Sequence, residues 1–164
     1  MLTRFIFVSL ACAGISVAAS AAPPMSAANY VAKAGASDLY EINSSKLVLD
    51  TSHDDSLKTF AQMMVDDHTK STADVVAAAK SSGMNPAPPK LMPKQAAMIA
   101  SLQKASGKSR DSLYKKQQVA AHQQALTLQQ SYATNGTDPN LKAAAGNIVP
   151  VVEHHLSQVK QMAM

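Results

Sequence analysis

The sequence predicts an all-α protein, a bundle of four long helices. Three observations predict it. Ala, Lys, Gln, Leu and Met are abundant and the chain has only 6 Gly, a balance that favours helix. Apolar residues recur three and four positions apart, and no stretch alternates as a strand does. Turn signals at Thr51-Ser52-His53, Gly83 and Asn135-Gly136 cut the chain into helix-sized lengths.

The bundle is preceded by a targeting signal. Met1 to Arg4 is a short basic start, Phe5 to Val17 is apolar, and Ala19-Ser20-Ala21 fits the small-x-small cleavage rule. The apolar run is too short to span a bilayer. Residues 1–21 read as a cleavable signal peptide, and residues 22–164 as a single helical-bundle domain, periplasmic or secreted. Cys12, the 1 cysteine of the chain, falls in the signal and reads as apolar filler, so the mature chain is expected to use neither disulfide nor thiolate.

Charge and composition narrow the partners. Loss of Arg4 lowers the formal net charge of +4 by one. The basic residues are scattered, aromatics are few and Trp is absent, so the chain offers no stacking platform or basic stripe and nucleic-acid binding is not expected. No transmembrane span is expected in the mature chain. A basic balance is compatible with peripheral association with an anionic envelope surface. The sequence names no partner.

The first long helix is expected from about Ser26 to Asp50, with Val31, Ala34, Asp38, Glu41, Ser45 and Val48 along one side. Ser52 followed by Asp55 reads as a capping-box variant that opens the second. That helix carries the stripe Leu57, Phe60, Ala61, Met64, His68, Val75 and Ala79 and ends near Ser82, with Gly83 as its C′ residue. Residues 84–93 hold four prolines, Pro86, Pro88, Pro89 and Pro93, and cannot be helical. They read as an extended connection inside the domain. A short helix from about Lys94 to Ser106 is expected to stop at Gly107. The third long helix runs from about Ser109 to Thr134, with Leu113, Tyr114, Ala121, His122, Ala125, Leu126 and Leu128 inward. Thr137-Asp138-Pro139 opens the fourth, which runs to about Met162. Two antiparallel hairpins joined by one long crossover is the connectivity of ferritin-like bundles.

Three histidines occupy the apolar seams. His68, His122 and His155 lie on three different helices, each with a valine three residues earlier: Val65, Val119 and Val152. Residues three and four apart share a helix face. His155 falls in the row Ala145, Ile148, Val152, Val159, whereas His154 falls on a mostly polar row. Glu41 stands on the seam of the first helix. Glu41 lies about 11 residues before the first turn and His68 about 16 after it, an offset of roughly 7 Å along the bundle at 1.5 Å per residue. His122 and His155 show a similar offset about the second turn.

A single histidine on an apolar face is usually a hydrogen-bonded core residue. Three on separate helices, with a carboxylate whose unpaired burial is costly, point instead to one metal site with Glu41, His68, His122 and His155 as ligands. Asp67 and His154 stand beside it as residues that could orient the imidazoles. Such a donor set suits a single Zn, Fe, Mn or Cu ion. The rival reading is a metal-free envelope interaction or stress protein with a buried His/Glu hydrogen-bonded cluster. Of the 9 methionines, only Met63-Met64 fall near His68, and they read as core filler.

The run Phe60-Ala61-Gln62-Met63-Met64-Val65-Asp66-Asp67-His68-Thr69-Lys70, with Val149-Pro150 to His155-Leu156, resembles the bacterial envelope family called domain of unknown function 4142, labelled predicted outer-membrane protein. The likeness extends over roughly Tyr30 to Lys160. It implies a secreted ferritin-like four-helix fold and no established reaction. Ferritin-like di-iron proteins carry Glu-x-x-His on two helices and a further Glu on each of the others. Here Val65 and Val152 replace the glutamates. With one core carboxylate, a bridged di-iron centre and its oxygen chemistry are not expected, which argues against an enzyme.

Overall fold

A computed structural model describes residues 24–162; the expected signal peptide, residues 1–21, lies outside the described residues. Among those residues the chain is all-α, with five helices and no strand: α1 (Ala27–Thr51), α2 (Asp55–Ser81), α3 (Pro93–Lys104), α4 (Gly107–Asn135) and α5 (Pro139–Met162). None of these helices is long and apolar enough to cross a membrane.

Local chemistry sets most boundaries. Ser26 Oγ accepts a hydrogen bond from Asn29 N at the start of α1, and Asp138 Oδ1 accepts one from Leu141 N, 2.9 Å away, at the start of α5. Such caps satisfy amide groups that have no partner within the helix. Gly83, at φ 76°, closes α2 as expected. Its own N–H bonds to Lys80 O and that of Met84 to Ala79 O, at 2.9 and 3.0 Å, the paired bonds of a Schellman ending.

Two boundaries differ from the sequence reading. The cap of α2 is Asp54, whose Oδ1 accepts from Leu57 N at 3.0 Å. Ser52 instead accepts from Asp54 N and donates to Asp111 Oδ2 of α4, so its hydroxyl ties the turn to a neighbouring helix. Gly107 does not stop the short helix; at φ 50° it opens α4. α3 ends at Lys104, where Arg110 Nε donates to Leu102 O and Ala105 O.

α1 and α2 pack along each other, as do α4 and α5, and the pairs meet through α2–α5 and α1–α4. The turns within each pair are three residues long. Partners across them, such as Asp38 and His68, lie at similar distances from the turn, so each pair is antiparallel. α3 lies outside, against α1 and α4, with Leu102 its buried residue. The proline-rich segment lies on α1 at Gly35, where a Cβ would meet Pro89 Cγ at 3.1 Å.

The apolar core is divided. One part gathers Tyr30, Ala34, Val75, Ala79, Tyr132, Leu141, Ala145 and Val152, with Tyr30 and Tyr132 stacked at 3.9 Å. The other gathers Val48, Leu57, Phe60, Met64, Leu102, Tyr114, Leu156 and Val159. At roughly 1.5–3 kcal/mol for each large apolar side chain fully buried, these two regions drive folding. Asp38, Glu41, His68, His122 and His155, all buried, fall between the two sets along their helices.

Candidate metal centre

Each of these polar residues sits on an apolar seam because helical spacing puts it there. His68 lies one turn from Met64, His122 three residues before Ala125, and His155 three after Val152, all of them buried. α1 supplies Asp38 and Glu41, three apart and so on one face. The folded chain thereby turns at least one polar group from each of the four long helices inward.

The three imidazoles form a nearly equilateral group. Ring centroids are 5.6 Å apart for His68 and His122, 5.5 Å for His68 and His155, and 5.4 Å for His122 and His155. One ring nitrogen from each lies within 4.8 Å of the others. They are 4 %, 0 % and 0 % exposed in chain order.

The outward nitrogens are anchored. His68 Nδ1 lies 2.8 Å from Asp38 Oδ1, while Asp38 Oδ2 accepts from Thr72 Oγ1. His122 Nδ1 donates to the carbonyl of Gln118 at 3.0 Å. His155 Nε2 lies 2.9 Å from Asp67 Oδ2. The remaining nitrogens, Nε2 of His68, Nε2 of His122 and Nδ1 of His155, are buried without any hydrogen-bond partner. Buried polar atoms are nearly always partnered, so three such atoms in one group require an explanation. Carboxylate and carbonyl anchors on the far nitrogen are the usual companions of metal-binding histidines.

Glu41 is fully buried beside the group rather than within its 4.8 Å circle. Its Oε1 lies 3.8 Å from His122 Nδ1, and neither oxygen has a hydrogen-bond partner. Of the residues expected to orient imidazoles, Asp67 is hydrogen-bonded to His155. His154 is exposed and takes a hydrogen bond from Gln158; its ring centroid lies 6.3 Å from that of His155. Met64 is buried in the core and Met63 only partly.

Burial dominates the electrostatics. It raises the Glu41 carboxyl to about 7, opposed by the charge of His68. It lowers His122 to about 3, helped by the charges of His68 and His155. It lowers His155 to about 4, against the pull of Asp67. Burial pushes His68 down as well, but the hydrogen bond and charge of Asp38, with Glu41 and Asp67, lift it above its ordinary value. His122 and His155 are therefore neutral at pH 7, the protonation state in which an imidazole binds a metal.

The sequence reading missed Asp38 as an anchor, although it placed Asp38 on the seam. The signal was available. Glu41 is three residues closer to the first turn than Asp38, and Asp38 removes most of the height mismatch with His68. The Gln118 carbonyl left no signal, because any residue four before His122 would supply one.

Residues 13–162 match the family described as Domain of unknown function (DUF4142). No curated protein matches. Among solved structures, the fold is similar to CopM in the Cu(II)-bound form, with TM-score 0.71 and 15% identity over 85% of this chain and 97% of that one. CopM in the Cu(I)-bound form gives 0.69 and 17% identity over 84% and 95%. A DUF305 protein from Streptomyces coelicolor, described as secreted, gives 0.66 and 14% identity over 84% and 90%. At these identities the likeness is one of fold.

Proposed function

We propose that this chain, which belongs to the DUF4142 family, is an exported helical-bundle protein that binds one transition-metal ion in its core. His68, His122 and His155 supply the ligands, and Glu41 the fourth group. The observation that carries this reading is the set of three buried, unpartnered ring nitrogens, one from each histidine. A cluster built for hydrogen bonding would join these atoms to one another or to Glu41. Residues 22–164 form one domain in this reading, ferritin-like in connectivity, with residues 84–93 inside it. Residues 1–21 are the export signal.

Metal–nitrogen bonds near 2.1 Å place tetrahedral ligand atoms roughly 3.4 Å apart, inside the 4.8 Å within which one nitrogen of each histidine lies. Three imidazoles suit Zn, Cu or Fe better than Mn. Copper, which one neighbour in fold holds, is among the ions that fit. A Glu41 turned toward the ion would lose its unpartnered state and add a negative ligand. The role this supports is buffering, sensing or structural use of the metal.

The test is to purify the mature protein free of metal, add Zn, Cu, Fe or Mn, and measure bound elements. About one equivalent of one metal, lost in His122→Ala with helicity retained, supports the site. Less than about a tenth of an equivalent of every metal sinks it and leaves the metal-free envelope protein.

A further inference from the structure

The metal reading raises a question of access, because the three imidazoles are sealed from water. Asp38, 3 % exposed, covers His68, and Glu41 and Gln118, both 0 % exposed, lie beside His122. Asp67 differs. Its side chain is 41 % exposed, yet its carboxylate is hydrogen-bonded to His155, whose side chain is 1 % exposed. Among the described residues it is the one solvent-facing group bonded to any of the three histidines.

A second observation lies on α5 itself. Pro150 sits inside this helix, five residues before His155. Proline has no N–H to bond the carbonyl of the residue four earlier and its ring presses on that carbonyl. That residue is Gly146, whose Cβ position has nothing within 4 Å. Glycine is the helix residue with most backbone freedom to lose. The Gly146–Pro150 turn is thus the weakest of α5, and it immediately precedes the segment that carries His155. Helix bends concentrate at such positions.

We propose that the metal enters and leaves across the α2–α5 edge, by pivoting of the His155 segment at Gly146–Pro150, with Asp67 as the latch. This rests on the metal reading above. Asp67 is a positioning residue here: it acts through His155. When its bond to Nε2 breaks, water replaces the imidazole at the exposed carboxylate, whereas breaking the Asp38–His68 bond would strand a buried carboxylate. The opening is therefore less costly on the Asp67 side.

Two measurements test this on the full mature protein. The first is amide hydrogen exchange without metal over residues 151–156. Asp67→Asn is expected to speed it about tenfold and Pro150→Ala to slow it about fivefold. The second is stopped-flow uptake of Zn²⁺. Its rate should level off at high Zn²⁺, at a limit set by opening, and Pro150→Ala should lower that limit. Uptake that stays proportional to Zn²⁺ in every variant, with amide exchange over 151–156 unmoved by Asp67→Asn and Pro150→Ala, overturns the gate while bound Zn²⁺ at equilibrium keeps the site. Absence of bound metal at equilibrium, with Zn, Cu, Fe and Mn each tried, overturns site and gate together.

Discussion

The carboxylate of Asp38 lies 2.8 Å from Nδ1 of His68, and the two side chains are 5 % and 4 % exposed. This buried pair, bridging α1 and α2, fixes which face of the imidazole points to the centre. Nδ1 is held, so Nε2 is presented. Asp67 and the Gln118 carbonyl do the same for His155 and His122, which leaves Nε2 of His68, Nε2 of His122 and Nδ1 of His155 as the unpartnered nitrogens.

The first prediction concerns that anchor. Asp38→Asn keeps a hydrogen-bonding group of the same size but removes the charge. Metal affinity, measured by competition with a chelator, should fall roughly 10- to 100-fold, with the helical content unchanged. An affinity within twofold of the parent would show that Asp38 does not position His68.

Glu41 offers a test of buried charge. Its carboxyl is raised by burial from 4.5 to about 7. A raised acid contributes stability below its unfolded pKa and loses it as pH rises through the folded one. Glu41→Gln does not titrate. In metal-free protein it should gain on the parent by roughly 1–3 kcal/mol between pH 4.5 and pH 8, read as the shift in urea midpoint. The same variant should bind metal more weakly.

The histidines set the acid limb. His122 and His155 are lowered to about 3 and about 4 from 6.5. The unfolded chain takes up their protons first, so stability falls as pH drops from 6.5 toward 3. Glu41 opposes this between 4.5 and 7, but two groups outweigh one. His68, raised, removes stability as pH climbs above 6.5. Metal-free stability should therefore peak between pH 6 and 7 on the scale of these shifts. Bound metal should be released over the same acid range as protons compete for the imidazoles. A flat urea midpoint from pH 4 to 7 would contradict both assignments.

α3 supplies a control distant from the anchors. Leu102 is its buried residue, 0 % exposed, in the Phe60–Tyr114 part of the core. Leu102→Ala should cost about 2–4 kcal/mol in thermal or urea unfolding, with chelator competition unchanged within about twofold. A comparable loss of metal affinity would mean that α3 supports the centre.

How far the site could be read from sequence varies by helix. On α2 every residue of the expected stripe, Leu57 through Ala79, is buried, because an apolar row at helical spacing has one favourable face to hide. On α5 the same rule separated buried His155 from exposed His154. α4 was harder. Gln118 and Gln129 are buried there, each hydrogen-bonded to α1: Gln118 Nε2 donates to Ser44 Oγ and Gln129 Oε1 accepts from Tyr30 Oη. Glutamine carries no apolar signature, and its burial depends on an acceptor or donor from another helix. The same holds for Ser52, which has the pattern of a cap but bonds to Asp111 of α4.

Composition, spacing and turn residues by themselves determined five helices, their order, and the inward placement of Glu41, His68, His122 and His155. These follow from periodicity, which is a property of one helix at a time. The tertiary structure alone decided that the three imidazoles converge, that Asp38 rather than Glu41 holds His68, and that Glu41 stands beside the group without a partner. Those facts depend on the axial offset between helices. A shift of three residues moves a side chain about 4.5 Å along the helix, more than the length of a hydrogen bond, and only packing between helices sets it.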